Sequence, residues 1–309
     1  SHNVLLIGPP GVGKTLLAQS LPSLLPPADL DETKEIYYIH SLAGAAPPSP
    51  LGTRPFRAPH HNASEHALIG GGSFPRPGEI SLAHRGVLFL DELAEFPHRS
   101  LEALRQPIEN GSVNIARAAM SATFPANALI VAAMNPCPCG YSGSSVRPCT
   151  CSLQRIQNYQ KRISGPLLDR FDMVLFLESE NSHLNDVINT TNMIAEINSA
   201  ITSQQKRFEQ TAYKRNSEVG YVDLETHCPM SADAESLLQI AAQRLCLSRR
   251  ATQRITRVAR TIADLNSTAN ISKSDVAEAI QYRVDLMQPF PQATVQQDIL
   301  VPTAVGNQI

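Results

Sequence analysis

Short all-apolar runs and helical stripes alternate along the first half of this 309-residue chain. Val4-Leu5-Leu6-Ile7, Val87-Leu88-Phe89-Leu90, Ala128-Leu129-Ile130-Val131-Ala132-Ala133 and residues 173–177 are continuous apolar runs. Each has the length and composition of a strand buried on both faces of a parallel sheet. Leu16, Leu17, Ser20, Leu21 and Leu24 recur at helical spacing, and Pro26-Pro27 stops that helix near Leu25. Asp29 or Asp31 caps a second helix running from Glu32 to about Leu42. Residues 100–109 put Leu101, Leu104 and Ile108 on one helix face, and 153–167 read as a single helix leading into the last strand. After residue 178 the period is helical only. Ile194, Ile197 and Ile201 mark a polar helix within 179–217, and 220–228 read as a loop. A helix over 231–247 carries Ala234, Leu237, Leu238, Ala241 and Leu245. The next, over 248–265, carries Ala251, Ile255, Val258, Ile262 and Leu265, and a last one over 274–287 is capped by Ser272 or Ser274. The pattern predicts an α/β core over 1–178, a parallel sheet sandwiched by helices. A helical linker and small α-helical lid domain over 179–287 and a flexible tail over 288–309 follow it.

Two stretches break the alternation. Over 44–86 glycine and proline recur, from Gly44 through Pro47, Pro48 and Pro50 to Gly70-Gly71-Gly72, Pro75 and Pro77. This reads as a loop insertion with a short strand at 55–58 and short helices at 64–69 and 79–84. Arg54, Arg57, Arg76 and Arg85 outnumber Glu65 and Glu79 there, and His60, His61, His66 and His84 make it unusually rich in histidine. Over 111–124, Val113, Ile115, Met120 and Phe124 alternate loosely around a small-residue middle that contains Arg117, which predicts a projecting β-hairpin.

The ends of the apolar runs carry the chemistry. After the first stands Gly8-Pro9-Pro10-Gly11-Val12-Gly13-Lys14-Thr15, a match to Gly-x-x-x-x-Gly-Lys-Thr with a strand before it and a helix after it. Glycines let the backbone curl so that successive N–H groups face phosphate oxygens, and the helix N-terminus adds its positive dipole end. Gly8, Pro10, Gly11, Val12, Gly13, Lys14, Thr15 and Leu16 are therefore the expected ATP contacts. Lys14 reaches the β- and γ-phosphates and the Thr15 hydroxyl holds Mg²⁺. A chance glycine turn is the competing explanation, and the two correct flanks argue against it. The second run ends in Asp91-Glu92, carboxylates delivered to the carboxyl edge of a parallel sheet, where ligands sit. Asp91 is placed to bind Mg²⁺, directly or through water, and Glu92 to polarise the attacking water; an ordinary solvated acidic turn is the alternative. The third run ends at Met134-Asn135-Pro136. Asn135 is placed to touch the γ-phosphate or its attacking water, unless it is simply a capping residue.

Cys137-Pro138-Cys139 and Cys149-Thr150-Cys151 follow, two close pairs that can surround one tetrahedral Zn²⁺ in a structural role. Cys228 and Cys246 read as ordinary buried thiols. In the helix over 248–265 Arg250, Arg254 and Arg257 form a stripe beside the apolar one, and no acid lies between Glu235 and Asp264 to pair with it locally. That stripe is either a solvated face or the source of an arginine that reaches ATP.

Composition narrows the partners. A formal net charge of −2 means that any nucleic-acid site is a local patch and not a global basic field. Zero Trp and 5% aromatic residues within a 42% hydrophobic chain predict aliphatic cores. No run approaches the ~18 apolar residues of a membrane span, and no charged-then-apolar leader is present, so a soluble cytoplasmic protein without a membrane partner is expected. The first strand begins almost at Ser1, which suggests a piece of a longer protein.

Six longer strings bring these features together: Arg-Pro-Phe-Arg-Ala-Pro-His-His (54–61), Pro-Gly-Glu-Ile-Ser-Leu-Ala-His (77–84), Gly-Val-Leu-Phe-Leu-Asp-Glu-Leu (86–93), Ala-Ala-Met-Asn-Pro-Cys-Pro-Cys-Gly (132–140), Gly-Pro-Leu-Leu-Asp-Arg-Phe-Asp (165–172) and Arg-Val-Ala-Arg-Thr-Ile-Ala-Asp-Leu (257–265). With the P-loop they resemble the magnesium-chelatase-like YifB/ComM family of AAA+ ATPases, from residue 2 to about 287. The resemblance implies a homohexameric ring with ATP between subunits. Lys14, Thr15, Asp91, Glu92 and Asn135 act from one protomer, and Arg170 is the finger reaching a neighbour's γ-phosphate, with Arg162 its rival. Arg250 is the choice for a second sensor on the lid and Arg254 the fallback. The family's cysteine spacing matches, and its N-terminal domain resembling the Lon protease fold is absent from this stretch. One branch of the family drives branch migration of DNA during natural transformation. An ATP-driven DNA translocase or helicase acting on single-stranded or branched DNA is therefore expected. The insertion 44–86 and the hairpin 111–124 would face the pore, with Arg117 and Arg76 on phosphates. The alternative is a protein-remodelling chaperone of the magnesium-chelatase type. Such a remodeller threads polypeptide with an aromatic-aliphatic-Gly pore loop, and the insertion offers only Phe74 followed by Pro75.

Overall fold

A computed structural model describes residues 2–117, 120–144, 147–178 and 190–283. The four apolar runs form strands Val4–Ile7, Val87–Leu90, Leu129–Met134 and Met173–Phe176. With the two-residue strand Phe56–Arg57 they make one parallel sheet, ordered Phe56–Arg57, Val87–Leu90, Leu129–Met134, Val4–Ile7, Met173–Phe176. Side chains alternate across the sheet with period two, and both faces are buried. Leu5, Ile7, Leu88, Leu90, Ile130 and Ala132 pack on one side under Leu93, Leu101, Leu104 and Leu167. Leu6, Val87, Phe89, Val131 and Ala133 pack on the other against Ala18. This is why the runs read as continuously apolar.

The stretch 44–86 contains the short strand and the two short helices expected of it, at Phe56–Arg57, Glu65–Ile69 and Glu79–Leu82. Phe56 and Arg57 pair with Val87 and Leu88 as the sheet's edge, and a strand of two residues is too short to show any period. Three of its four arginines are tied to acids of the core. Arg54, buried, donates to Glu32 at 2.7 Å and to the carbonyls of Pro26 and Arg85. Arg57 forks onto both Glu79 oxygens at 2.6 and 2.7 Å, and Arg85 meets Glu35 at 2.9 Å. Gly70–Gly71 and Arg76–Pro77 form a small antiparallel pair within the same stretch. The predicted hairpin is present as Ser112–Arg117 against Met120–Pro125.

Helix ends follow local chemistry. Lys14–Leu24 stops before Pro26-Pro27, and Leu30–Ala43 starts from an Asp29–Glu32 capping box. Two helices read as continuous are broken. Residues 100–109 split into His98–Ala103 and Arg105–Asn110, meeting at Leu104. Residues 153–167 split into Leu153–Gln160 and Gly165–Leu168, because Ser164 caps a fresh start with Pro166 in its first turn. In the lid, Thr190–Phe208, Ala232–Arg244, Arg249–Leu265 and Lys273–Gln281 close on Leu238, Ile255, Val258, Ile262 and Val276. The presumed loop 220–228 contains a short helix, Leu224–His227. The segments 179–189 and 284–309, with the predicted tail, lie outside the described residues.

Buried charge ties lid to core. Arg254 donates to Asp172 at 2.9 Å, while Arg283 donates to the Phe171 carbonyl at 2.8 Å and to Asp169 at 2.7 Å. Burial alone would raise the Asp172 carboxyl, but His2, Arg254 and the Asn3 amide outweigh it and hold it down at about 2.

Candidate functional site

Three strand ends converge at the carboxyl edge of the sheet. The P-loop turns on Gly11 and Gly13, at φ +83° and +93°, conformations that other residues rarely adopt. Lys14, only 9% exposed, donates from Nζ to the Gly8 and Pro9 carbonyls at 2.7 and 2.8 Å and to Asn135 Oδ1 at 3.1 Å. Burial lowers the pKa of this ammonium, and the Asp91 carboxylate opposes the shift. Thr15 Oγ1 donates to Asp91 Oδ2 at 2.9 Å. A hydroxyl and a carboxylate held that close can share one divalent cation, and a lysine beside them can meet phosphate oxygens. Lys14, Thr15, Asp91 and Asn135 are thus brought together from three separate strands. Leu16 is exposed beside them.

Glu92 stands at the exposed rim in a left-handed conformation, φ +53°, with its N–H on Asp91 Oδ1. Its Oε2 lies 2.9 Å from His61 Nδ1, and the His61 ring lies 4.1 Å from that of His60. Sequence reasoning assigned no role to His61. The histidine-rich stretch was visible, but the contact exists only because the edge strand Phe56–Arg57 lies beside Val87–Leu90.

The four clustered cysteines also come together. Their sulfurs all lie within 4.8 Å of one another, with Cys137–Cys139 at 3.3 Å, Cys139–Cys149 at 3.5 Å and Cys137–Cys149 at 3.7 Å. Tetrahedral ligation with Zn–S bonds of about 2.3 Å puts sulfurs roughly 3.8 Å apart. Backbone N–H groups of Ser142 and Cys151 point at the sulfurs of Cys137 and Cys149, as thiolates require. The donor set fits zinc. The knuckle also abuts the P-loop: a Cβ on Gly140, at φ +87°, would meet Pro10 Cδ at 2.6 Å. Cys228 is buried as expected, but Cys246 is exposed, at φ +48° just after the helix Ala232–Arg244.

The predicted arginines sit at the opposite edge. A cavity of about 440 Å³ is lined by Asn3, Ala128 and Asp172, each immediately before a strand, together with Arg170, Arg250 and Arg254. A four-residue strand of about 13 Å separates this amino edge from the P-loop. The Arg250–Arg257 stripe is not a solvated face without partners. Arg254 meets Asp172, Arg257 Nε donates to the Val219 carbonyl at 2.9 Å, and Arg250 lies 3.7 Å from Glu109. Those partners come from elements far away in sequence. Arg162 pairs with Glu95 at 2.9 Å. Arg76 is exposed and forms no ion pair among the described residues, while the Arg117 side chain lies outside them.

Comparison with known proteins agrees with this architecture. Residues 1–184 match the family described as magnesium chelatase, subunit ChlI, and residues 188–283 match its C-terminal domain. The uncharacterized protein YifB of Salmonella typhimurium is 41% identical over 285 residues, covering 91% of this chain and 56% of that protein. The competence protein ComM of Haemophilus influenzae is 41% identical over 285 residues, 91% of this chain and 55% of its own length. The DNA replication licensing factor Mcm6 of Drosophila melanogaster is 32% identical over 145 residues, 47% of this chain and 16% of that protein. The chain therefore spans about half the length of the YifB and ComM proteins it matches. Among the described residues no helix is long and apolar enough to cross a membrane. With its P-loop sheet, helical lid and family match on one chain, this protein belongs to the magnesium chelatase ChlI family as a YifB/ComM-type AAA+ ATPase.

Proposed function

We propose that the chain works as a homohexameric ring that hydrolyses ATP between subunits to move along DNA, promoting branch migration of recombination intermediates. The observation that carries this reading is the separation of Arg170 and Arg250 from their own P-loop by the length of the sheet's strands. Arginines at the amino edge complete a nucleotide site only across an interface. Within one subunit, Gly8 and Pro10 through Leu16 cradle ATP, Lys14 meets the β- and γ-phosphates, and Thr15 and Asp91 hold Mg²⁺. Bound Mg²⁺ supplies charge neutralisation of the phosphates. Glu92 orients and polarises the attacking water, and Asn135 fixes the γ-phosphate or that water beside Lys14. Arg170 of the next subunit stabilises the charge that develops on the transferred phosphoryl group. Arg250 stands beside it as the lid's contribution, facing the neighbour rather than its own nucleotide.

Support for DNA as the track is chemical. Arg76 on the small pair Gly70–Gly71/Arg76–Pro77 is exposed, and Arg117 is the last residue of the hairpin's first strand, Ser112–Arg117. Six copies of one or two arginines each supply enough phosphate contacts for steep salt dependence. Single-stranded DNA is expected to stimulate ATP hydrolysis, and its binding to fall about 300-fold or more between 50 and 200 mM salt. ATPase rates with and without DNA at both salts test this. No stimulation together with salt-insensitive binding favours the polypeptide remodeller, for which Phe74 is an exposed aromatic of the insertion.

The cysteine knuckle holds structural Zn²⁺. Purified chain should contain about one zinc per molecule. Stripping it, or substituting Cys149→Ser, is expected to lower the thermal midpoint by about 5 °C or more. It should also weaken nucleotide binding, because the knuckle buttresses Pro10. Elemental analysis with a melting curve and a nucleotide titration decides this; a metal-free chain of unchanged stability would refute it.

A further inference from the structure

One acid in the amino-edge cavity serves two arginines. Glu109, next to last in the helix Arg105–Asn110, accepts from Arg170 Nη2 through Oε2 at 2.5 Å, and its Oε1 lies 3.7 Å from Arg250 Nη2. Arg254 and Arg257 are engaged elsewhere, with Asp172 and the Val219 carbonyl. Arg170 is only 7% exposed, yet its buried Nε has no hydrogen-bond partner among the described residues. A buried guanidinium N–H without an acceptor is costly, so the cavity as folded is one acceptor short.

We propose that Glu109 is a positioning residue: it gathers Arg170 and Arg250 within one chain and is displaced by the terminal phosphate of ATP bound to the neighbouring copy. This rests on the reading of Arg170 as acting across the interface. A γ-phosphate brings three acceptor oxygens and more charge than a carboxylate, so once Glu109 releases Arg170 and its side chain turns outward it can satisfy Nη2, the unpaired Nε and Arg250 together. The Glu109 side chain is 48% exposed, so release into water costs it little. After hydrolysis the departing phosphate frees both guanidinium groups, and Glu109 recaptures them. The acid thus holds the finger ready while setting the threshold that nucleotide at the interface must overcome.

Glu109→Gln keeps the shape and an acceptor oxygen but removes the competing charge. Assembly driven by a slowly hydrolysed ATP analogue, followed by sedimentation, is expected at about fivefold lower chain concentration than in the wild type. The affinity of dilute chain for a fluorescent nucleotide should not change, and in an Arg170→Ala background, where only Arg250 is left to release, the shift in assembly should shrink. A merely structural role would lower the thermal midpoint and weaken assembly in both backgrounds. Unchanged or weaker assembly in E109Q, or an equal shift in the Arg170→Ala background, overturns the inference. If E109Q does not fold, Glu109→Asp, which keeps the charge but shortens the reach, is read in the same assay and should shift the same way by less. An Arg170→Ala chain that hydrolyses ATP at the wild-type rate would remove the cross-interface reading itself. An inactive Arg170→Ala with an unshifted E109Q removes only the role of Glu109.

Discussion

Replacing Arg170 with Ala is expected to slow ATP turnover by about 10³–10⁵, the usual worth of an arginine finger, while the chain binds nucleotide as tightly as before. Arg170 lies before the last strand, and the P-loop lies beyond the opposite end of the adjacent one. Removing it therefore leaves the phosphate cradle of its own chain intact. Mixing provides the sharper measurement. A chain carrying Arg170→Ala has a complete cradle and no finger, and one carrying Glu92→Gln has a finger and no base. Mixed rings contain interfaces where the first cradle meets the second finger, so activity should return on mixing two inactive proteins. An Arg170→Ala chain that is active alone, or mixtures that stay dead although they assemble, would rule out the shared site.

Glu92→Gln carries the second large effect. Loss of a positioned general base typically costs about 10²–10⁴ in rate. Glutamine keeps the length and one acceptor oxygen, so nucleotide should bind and remain bound, and the Thr15–Asp91 pair is untouched. His61→Ala should act through Glu92 and not on the phosphates. It frees the carboxylate from its 2.9 Å contact, altering the turnover rate with little change in nucleotide affinity. Single-turnover hydrolysis separates the two variants. A Glu92→Gln chain that hydrolyses ATP at the normal rate would show that another group prepares the water.

The meeting of Lys14, Thr15, Asp91 and Asn135 was legible in the linear chain because each stands just after a strand end. A parallel strand must end in a turn, and residue types at that turn announce what they do: Gly11 and Gly13 for positive φ, Lys14 and Thr15 on the helix start, Asp91-Glu92 and Asn135 at the tips of two other buried runs. Periodicity carried the strands, and capping chemistry carried most helix ends. The cysteine cluster was readable for the same reason, since its ligands lie within fifteen positions.

What sequence order could not show is what depends on which strands lie side by side. Phe56–Arg57 is too short to have a period, yet as the sheet edge it delivers His61 to Glu92. Glu109 and Arg250 are separated by 141 positions and by a domain boundary, yet they lie 3.7 Å apart. Arg254 finds Asp172 in the same way. By itself the sequence determined which polar side chains stand at each strand end, because backbone geometry and local residue type suffice for it. Only the tertiary structure decided that Arg170 and Arg250 gather on Glu109 at the edge of the sheet away from their own P-loop, because that meeting joins elements far apart in sequence, which no local pattern encodes.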